Sequence, residues 1–182
     1  MAANSFETLK QVIEANSVAN DFYNAAQEWG ITSVDEHPSN EGECVCGQQH
    51  LLYMYTIQNH HTGQSLEYIG SKCVQHFQRG DLNLQVTIFR GLFELRKKIL
   101  AGEHISLTSD YFSRGILAWL YDEGAFPATP YNGNDGGNDY RFLLDMFNKR
   151  NKNEISQARQ NKIRGLLHYT VKPFIRYHPA LG

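Results

Sequence analysis

The stretch ECVCGQQHLLYMYTIQNHHTGQSLEYIGSKCVQHF, residues 43–77, decides the reading of this chain. It opens on two cysteines one residue apart, Cys44 and Cys46, followed by Gly47. Glycine supplies the backbone freedom that a tight knuckle needs. In residues 51–58, Leu52, Met54, Thr56 and Gln58 alternate with Leu51, Tyr53, Tyr55 and Ile57 in a run rich in strand formers. His60-His61-Thr62-Gly63 reads as a turn, and residues 65–69 return as a second strand. Gly70-Ser71 then opens a short helix, with Ser71 as its N-cap and Cys73 in its first turn. A hairpin brings its two ends together, so all three sulfurs converge.

Thiolates that converge in this way, with imidazoles nearby, are the donor set of a structural zinc site. Two histidines compete for the fourth position. His50 gives C-x-C-x3-H and is the preferred ligand, because an ion held by a compact loop leaves the helix face free to pack. His76 gives C-x2-H at the helix start and is the alternative. The helix dipole is expected to favour the Cys73 thiolate. The chain has three cysteines, an odd count that does not suit a disulfide framework. Three isolated buried thiols are the plainer possibility. The glycine flanks, the C-x-C spacing and the two histidines favour a metal. A catalytic zinc is disfavoured: the His-x-Glu and Pro-Cys-x-x-Cys pattern of a deaminase is missing.

Outward from this module the chain is helical. Residues 5–29 place Phe6, Leu9, Val12 and Ile13, then Phe22, Ala26 and Trp29, at helical spacing. Asn4 and Glu7 resemble a capping box, Asn16-Ser17 is a possible break, and Gly30 a stop. Residues 32–43 are polar and acidic and read as a loop. On the other side, helices are expected over residues 86–100, 109–122, 139–149 and 156–175, with Pro173 ending or bending the last. The expected fold class is α+β. It is mostly helical, with a zinc-stabilised, treble-clef-like β-hairpin between an N-terminal helix and a C-terminal helical bundle. The corresponding domain ranges are 1–31, 44–80 and 84–178.

The formal net charge of −2 conceals an uneven distribution. Residues 1–43 carry eight acids against Lys10 alone. Residues 141–182 carry nine bases against Asp145 and Glu154. Lys149, Arg150 and Lys152 cluster after one helix, Arg159, Lys162 and Arg164 follow on the next, and asparagines interleave. These six bases form a candidate nucleic-acid-binding face, since phosphate contacts draw on such side chains. A solvated helix face is the competing reading. The N-terminal carboxylates offer the opposite chemistry, an imitation of phosphate in a basic groove. Tyr53, Tyr55 and Tyr68 are candidates for base stacking, although alternation buries one face of the hairpin. Asp135 and Asp139 do not have the spacing of an EF-hand loop. No apolar run is long enough to span a bilayer, and the N-terminus lacks a secretory pattern. The expectation is a cytoplasmic protein.

Cys44, Cys46, Gly47, Asn59, Thr62, Gly63, Gly70, Ser71, Cys73 and Phe77 match an outline of C-x-C-G, a hairpin with an N-x-x-T-G turn, then G-S-x-C and an aromatic. In this, the stretch resembles a cysteine-containing module of phage, prophage and large-virus proteins. The C-terminal part, from LYDEGAFPATPYNGNDGGNDYRFLLDMFNKR to KIRGLLHYTVKPFI, resembles tails attached to that module in small proteins of Gram-positive phages and mobile elements. The two cover roughly residues 44–176. Proteins of this size from such elements include inhibitors of type II CRISPR effector nucleases. The resemblance therefore implies a viral or mobile-element protein in a bacterial host cell. It would bind a nucleoprotein, most specifically a CRISPR effector nuclease with its guide RNA, as an anti-CRISPR inhibitor. The alternatives are a nucleic-acid-binding accessory of phage DNA or RNA metabolism and a small nuclease. No pair of metal carboxylates stands out for the nuclease, and no catalytic residue is assigned.

Overall fold

The computed structural model describes residues 5–182, and the Asn4 capping expectation lies outside them. Helix α1 (Ser5–Ala15) buries Leu9 and Ile13, one turn apart on a single face. Each such side chain contributes about 1.5–3 kcal/mol. The helix ends where Asn16 and Ser17 donate back to the carbonyls of Val12 and Ile13, at 2.8 and 2.7 Å. Asp21 caps α2 (Phe22–Gln27) by accepting from the Asn24 N–H. At its other end, the Arg79 guanidinium donates to the carbonyls of Ala26 and Trp29. A cation is favourable there because helix carbonyls lack partners.

The sheet has three antiparallel strands in the order β1 (Trp29–Glu36), β2 (Tyr53–Asn59), β3 (Ser65–Ile69). The hairpin β2–β3 is the expected one. Strand β1 corrects the sequence reading, which gave Trp29 to the helix and residues 32–43 to a loop. Its alternation is disguised by a bulge: Ile31 faces Ile57 and Ser33 faces Thr56, leaving Thr32 as the extra residue. Ile31 and Val34 are therefore both buried although three residues apart. Gly30 is not a helix stop but a close approach within the sheet unit. A Cβ there would lie 2.9 Å from the His60 ring. On the central strand, Tyr55, Ile57 and Asn59 alternate inward and Tyr53 is half-buried; Tyr68, on β3, is exposed. After the sheet, Cys73 and Val74 are buried on α3 (Ser71–Gln75), whose N-cap is Gly70 rather than Ser71.

Helix α4 (Gly80–Leu100) starts six residues earlier than expected. The chain divides within it. One unit runs to Arg90 and includes Pro179–Gly182, and the other is Gly91–His178. In the first unit, Leu82 and Phe89 are buried, and the Gln85 side chain accepts from the Ile31 N–H at 3.1 Å. In the second, Leu92, Leu95 and Ile99 are buried.

The second unit is helical. Ser113 caps α5 (Arg114–Asp122), accepting from the Ile116 N–H. The helix closes with the Gly124 N–H on the Tyr121 carbonyl and the Ala125 N–H on the Leu120 carbonyl. That pairing needs the left-handed backbone that Gly124 adopts. Helix α6 (Gly136–Asn148) is capped by Asp135. Asp135 also pairs with Arg141 at 2.9 Å, and Asp139 with Lys162 and Asn132. Both acids are thus engaged by protein groups. A Cβ at Gly136 would run into the Phe126 carbonyl oxygen. Gly136→Ala is expected to cost about 1–3 kcal/mol, read as a lower urea midpoint for the helical unit.

Helix α7 (Gln157–Leu166) passes through one π turn, Leu167–Val171, into α8 (Lys172–Tyr177). Pro173 neither ends the run nor stops it short. Proline has no N–H to give and crowds the carbonyl four residues back, and the widened turn just before it absorbs both demands. Among the described residues, no helix is long and apolar enough to cross a membrane.

Candidate metal centre

Two elements of the sheet unit deliver the sulfurs, a knuckle and helix α3. Cys44 and Cys46 lie on a knuckle closed by two short backbone bonds. The Gly47 N–H donates to the Cys44 carbonyl at 2.7 Å, and the Cys44 N–H to the Gln48 carbonyl at 2.8 Å. Gly47 takes φ of 84°, the left-handed conformation the sequence anticipated. The Val45 N–H bonds the Tyr68 carbonyl, which fastens the knuckle to the end of β3. Cys73 is the third residue of α3, directly after that strand.

The Sγ atoms of Cys44 and Cys73 are 3.4 Å apart, and those of Cys73 and Cys46 are 3.1 Å apart. These separations exceed the disulfide length of about 2.05 Å. They fall just short of the tetrahedron edge of about 3.8 Å that zinc–sulfur bonds of about 2.3 Å would require. All three residues are buried, and none is in a disulfide. The Gly70 N–H donates to the Cys44 sulfur at 3.3 Å. Leu51 covers this point closely enough that a Cβ at Gly70 would sit 3.2 Å from it. The cluster is thus buried, sulfur-only and compatible with a metal ion.

Its electrostatics favour one thiolate and resist more. Hydrogen bonding with Cys73 draws the Cys44 thiol down to about 5, helped by backbone N–H groups against the opposing effect of burial. Burial pushes Cys46 up. Cys73 is also pushed up, first by its bond with Cys44 and then by burial. Without a metal, contact with the other two sulfurs thus opposes the thiolate that the helix N-terminus favours at Cys73. Full ionisation of three touching thiols requires a cation among them.

Among the described residues, the group of mutually close metal donors consists of these three sulfurs. Both candidate histidines are exposed. His50 takes φ of 63°, and the His76 ring lies 4.9 Å from that of Phe6.

The six C-terminal bases are put to different uses. The Lys152 ammonium donates to the carbonyls of Met146 and Phe147, both at 2.7 Å, where it closes the end of α6. Partial burial lowers its pKa. Lys162 pairs with the buried Asp139 at 2.9 Å and lies over the Phe142 ring. Arg150, Arg159 and Arg164 are exposed, and Lys149 is half-exposed. Sequence reading missed Lys172 and Arg176, which continue the row begun by Arg164. Their four-residue spacing was the available signal. Comparison with protein-family models, curated proteins and solved structures found no match for this chain.

Proposed function

We propose that the protein is a metal-stapled binding protein of a phage or mobile element that attaches to a nucleoprotein. The most specific form of the proposal is inhibition of a type II CRISPR effector nuclease carrying its guide RNA. The observation behind it is the division of charge between the two units. Asp35, Glu36, Glu41 and Glu43 border a cleft of about 410 Å³ in the sheet unit. The helical unit carries exposed Arg150, Arg159 and Arg164. A nucleoprotein offers both a basic protein groove and a phosphate backbone to such a molecule. Zinc held by Cys44, Cys46 and Cys73 would fix the knuckle to α3, with His50 as fourth donor and His76 as the alternative. Removing each histidine in turn separates them, because only loss of the true ligand releases metal.

Tagged protein is expected to retain the effector–guide complex on a column and to suppress target cleavage at stoichiometric ratio. Full cleavage at a large excess of this protein would refute the inhibitory form. A second reading, a nucleic-acid-binding accessory, is favoured by the cationic row on the last helices. It predicts binding to oligonucleotides without any effector.

A further inference from the structure

The last helical run of the second unit carries a surface that the charge count alone does not reveal. Arg164, His168, Lys172 and Arg176 recur every four residues along α7, the π turn and α8. In a straight α-helix such a row drifts about 40° per step. The step across the wider π turn drifts the other way, which keeps the row together. Two clefts record the result. One, of about 460 Å³, takes in Arg164, His168, Tyr169 and Lys172. Its neighbour, of about 400 Å³, shares the last three and adds Arg176 and Tyr177. Tyr169 and Tyr177 are 79% and 76% exposed, an unusual state for large aromatic side chains.

Among the described residues, Arg164 and Lys172 form no ion pair. Among the described residues, the hydrogen bond of the Arg176 side chain is to a backbone carbonyl, that of Ile99. One acid, Glu103, lines the second cleft. Among the described residues, the one aromatic neighbour of Tyr169 is the His168 ring, met edge-on at 4.6 Å.

We infer that this row is a binding track for single-stranded nucleic acid, a proposal that rests on the second reading above. Arg164, Lys172 and Arg176 would neutralise successive phosphates, and Tyr169 and Tyr177 would stack on unpaired bases. The track is roughly 18 Å long at about 1.5 Å per residue, the length of a few nucleotides. An acidic peptide would use the cations but not the ring faces. Duplex DNA has its bases already stacked and offers only phosphates. The combination of unpaired cations with open ring faces selects single strands.

The test uses the full chain and fluorescein-labelled oligo(dT) and oligo(U), read by anisotropy across a salt series, with duplex DNA and polyglutamate as competitors. Single strands are expected to bind best. K172Q/R176Q should weaken binding about tenfold or more and flatten the log–log salt slope by about 1.4. Y169A/Y177A should weaken it about fivefold or more per stacked base with the slope unchanged, while Y169F/Y177F should bind like wild type. All these positions are exposed or half-exposed, and circular dichroism checks the fold. If single strands bind but neither pair matters, whereas K149Q/R150Q does, the track is wrong and the nucleic-acid reading survives. If no oligonucleotide binds at low salt, both fall. Equal competition by polyglutamate or duplex would also overturn the track, by removing the role of the rings.

Discussion

Cys73→Ser should release the metal from the purified protein and lower the stability of the sheet unit by about 4 kcal/mol or more. Cys73 sits between the other two sulfurs, in contact with both. Its loss leaves no sulfur donor from α3, and the knuckle is then tied by backbone contacts, the Val45–Tyr68 bond and the Gly70 N–H on the Cys44 sulfur among them. A serine hydroxyl is also a far poorer ligand than a thiolate for a soft metal. The measurement is a urea titration followed by tryptophan fluorescence, since Trp29 is fully buried in the same unit. Trp119 lies in the helical unit, so W119F provides the background that isolates the signal. A chelator added to the wild type should reproduce the loss. Added to Cys73→Ser, it should do nothing.

Asn59→Ala should be the next most damaging change, at about 2–4 kcal/mol. Asn59 is buried at the end of β2, and both ends of its amide are hydrogen-bonded. Its amide donates to Glu28 at 2.7 Å, and its carbonyl oxygen accepts from the N–H groups of His61 and Thr62 at 2.8 and 2.9 Å. Glu28 also receives the N–H groups of Val18 and Ala19, at 2.9 and 2.8 Å. One amide thus joins the hairpin turn to the segment between α1 and α2. Truncation strips a buried carboxylate and two turn N–H groups of a partner together. The hydrogen bond from Asn59 holds the Glu28 carboxyl below its ordinary value, with the backbone bond from Val18 adding to it. Its contribution is therefore complete above the unfolded value near 4.5 and disappears as pH falls through the lower folded value. Asn59→Asp should invert that slope. Two carboxylates would face each other, and acid would relieve the repulsion by protonating one. Urea midpoints should fall for the wild type as pH drops below about 4.5 and should rise on the same acidification for Asn59→Asp.

The sulfur cluster was legible because its signals are local. The C-x-C-G knuckle, the alternation from Tyr53 to Asn59 and a cysteine at a helix start each follow from neighbouring residues. Strand β1 was hidden for two reasons. Its last residues are acidic, and the extra residue at Thr32 breaks the period of two that identifies a strand. The Asn59–Glu28 link was not readable either. Its residues are 31 positions apart, and nothing at one predicts the other. In the C-terminal region, charge alone overstated some bases and understated others. Lys152 and Lys162 are engaged by carbonyls and by Asp139, whereas Lys172 and Arg176 were passed over beside a proline expected to break the helix. A π turn has no sequence signature, so the continuity of that row required coordinates.

Three converging sulfurs are expected to hold one metal ion. Elemental analysis of protein purified without added metal or chelator tests it directly, alongside cobalt substitution of the apoprotein. One zinc per chain is predicted, together with sulfur-to-cobalt charge-transfer absorption that Cys44→Ser, Cys46→Ser or Cys73→Ser each diminishes. Metal-free protein with an unchanged urea midpoint, and three thiols that titrate freely, would contradict it.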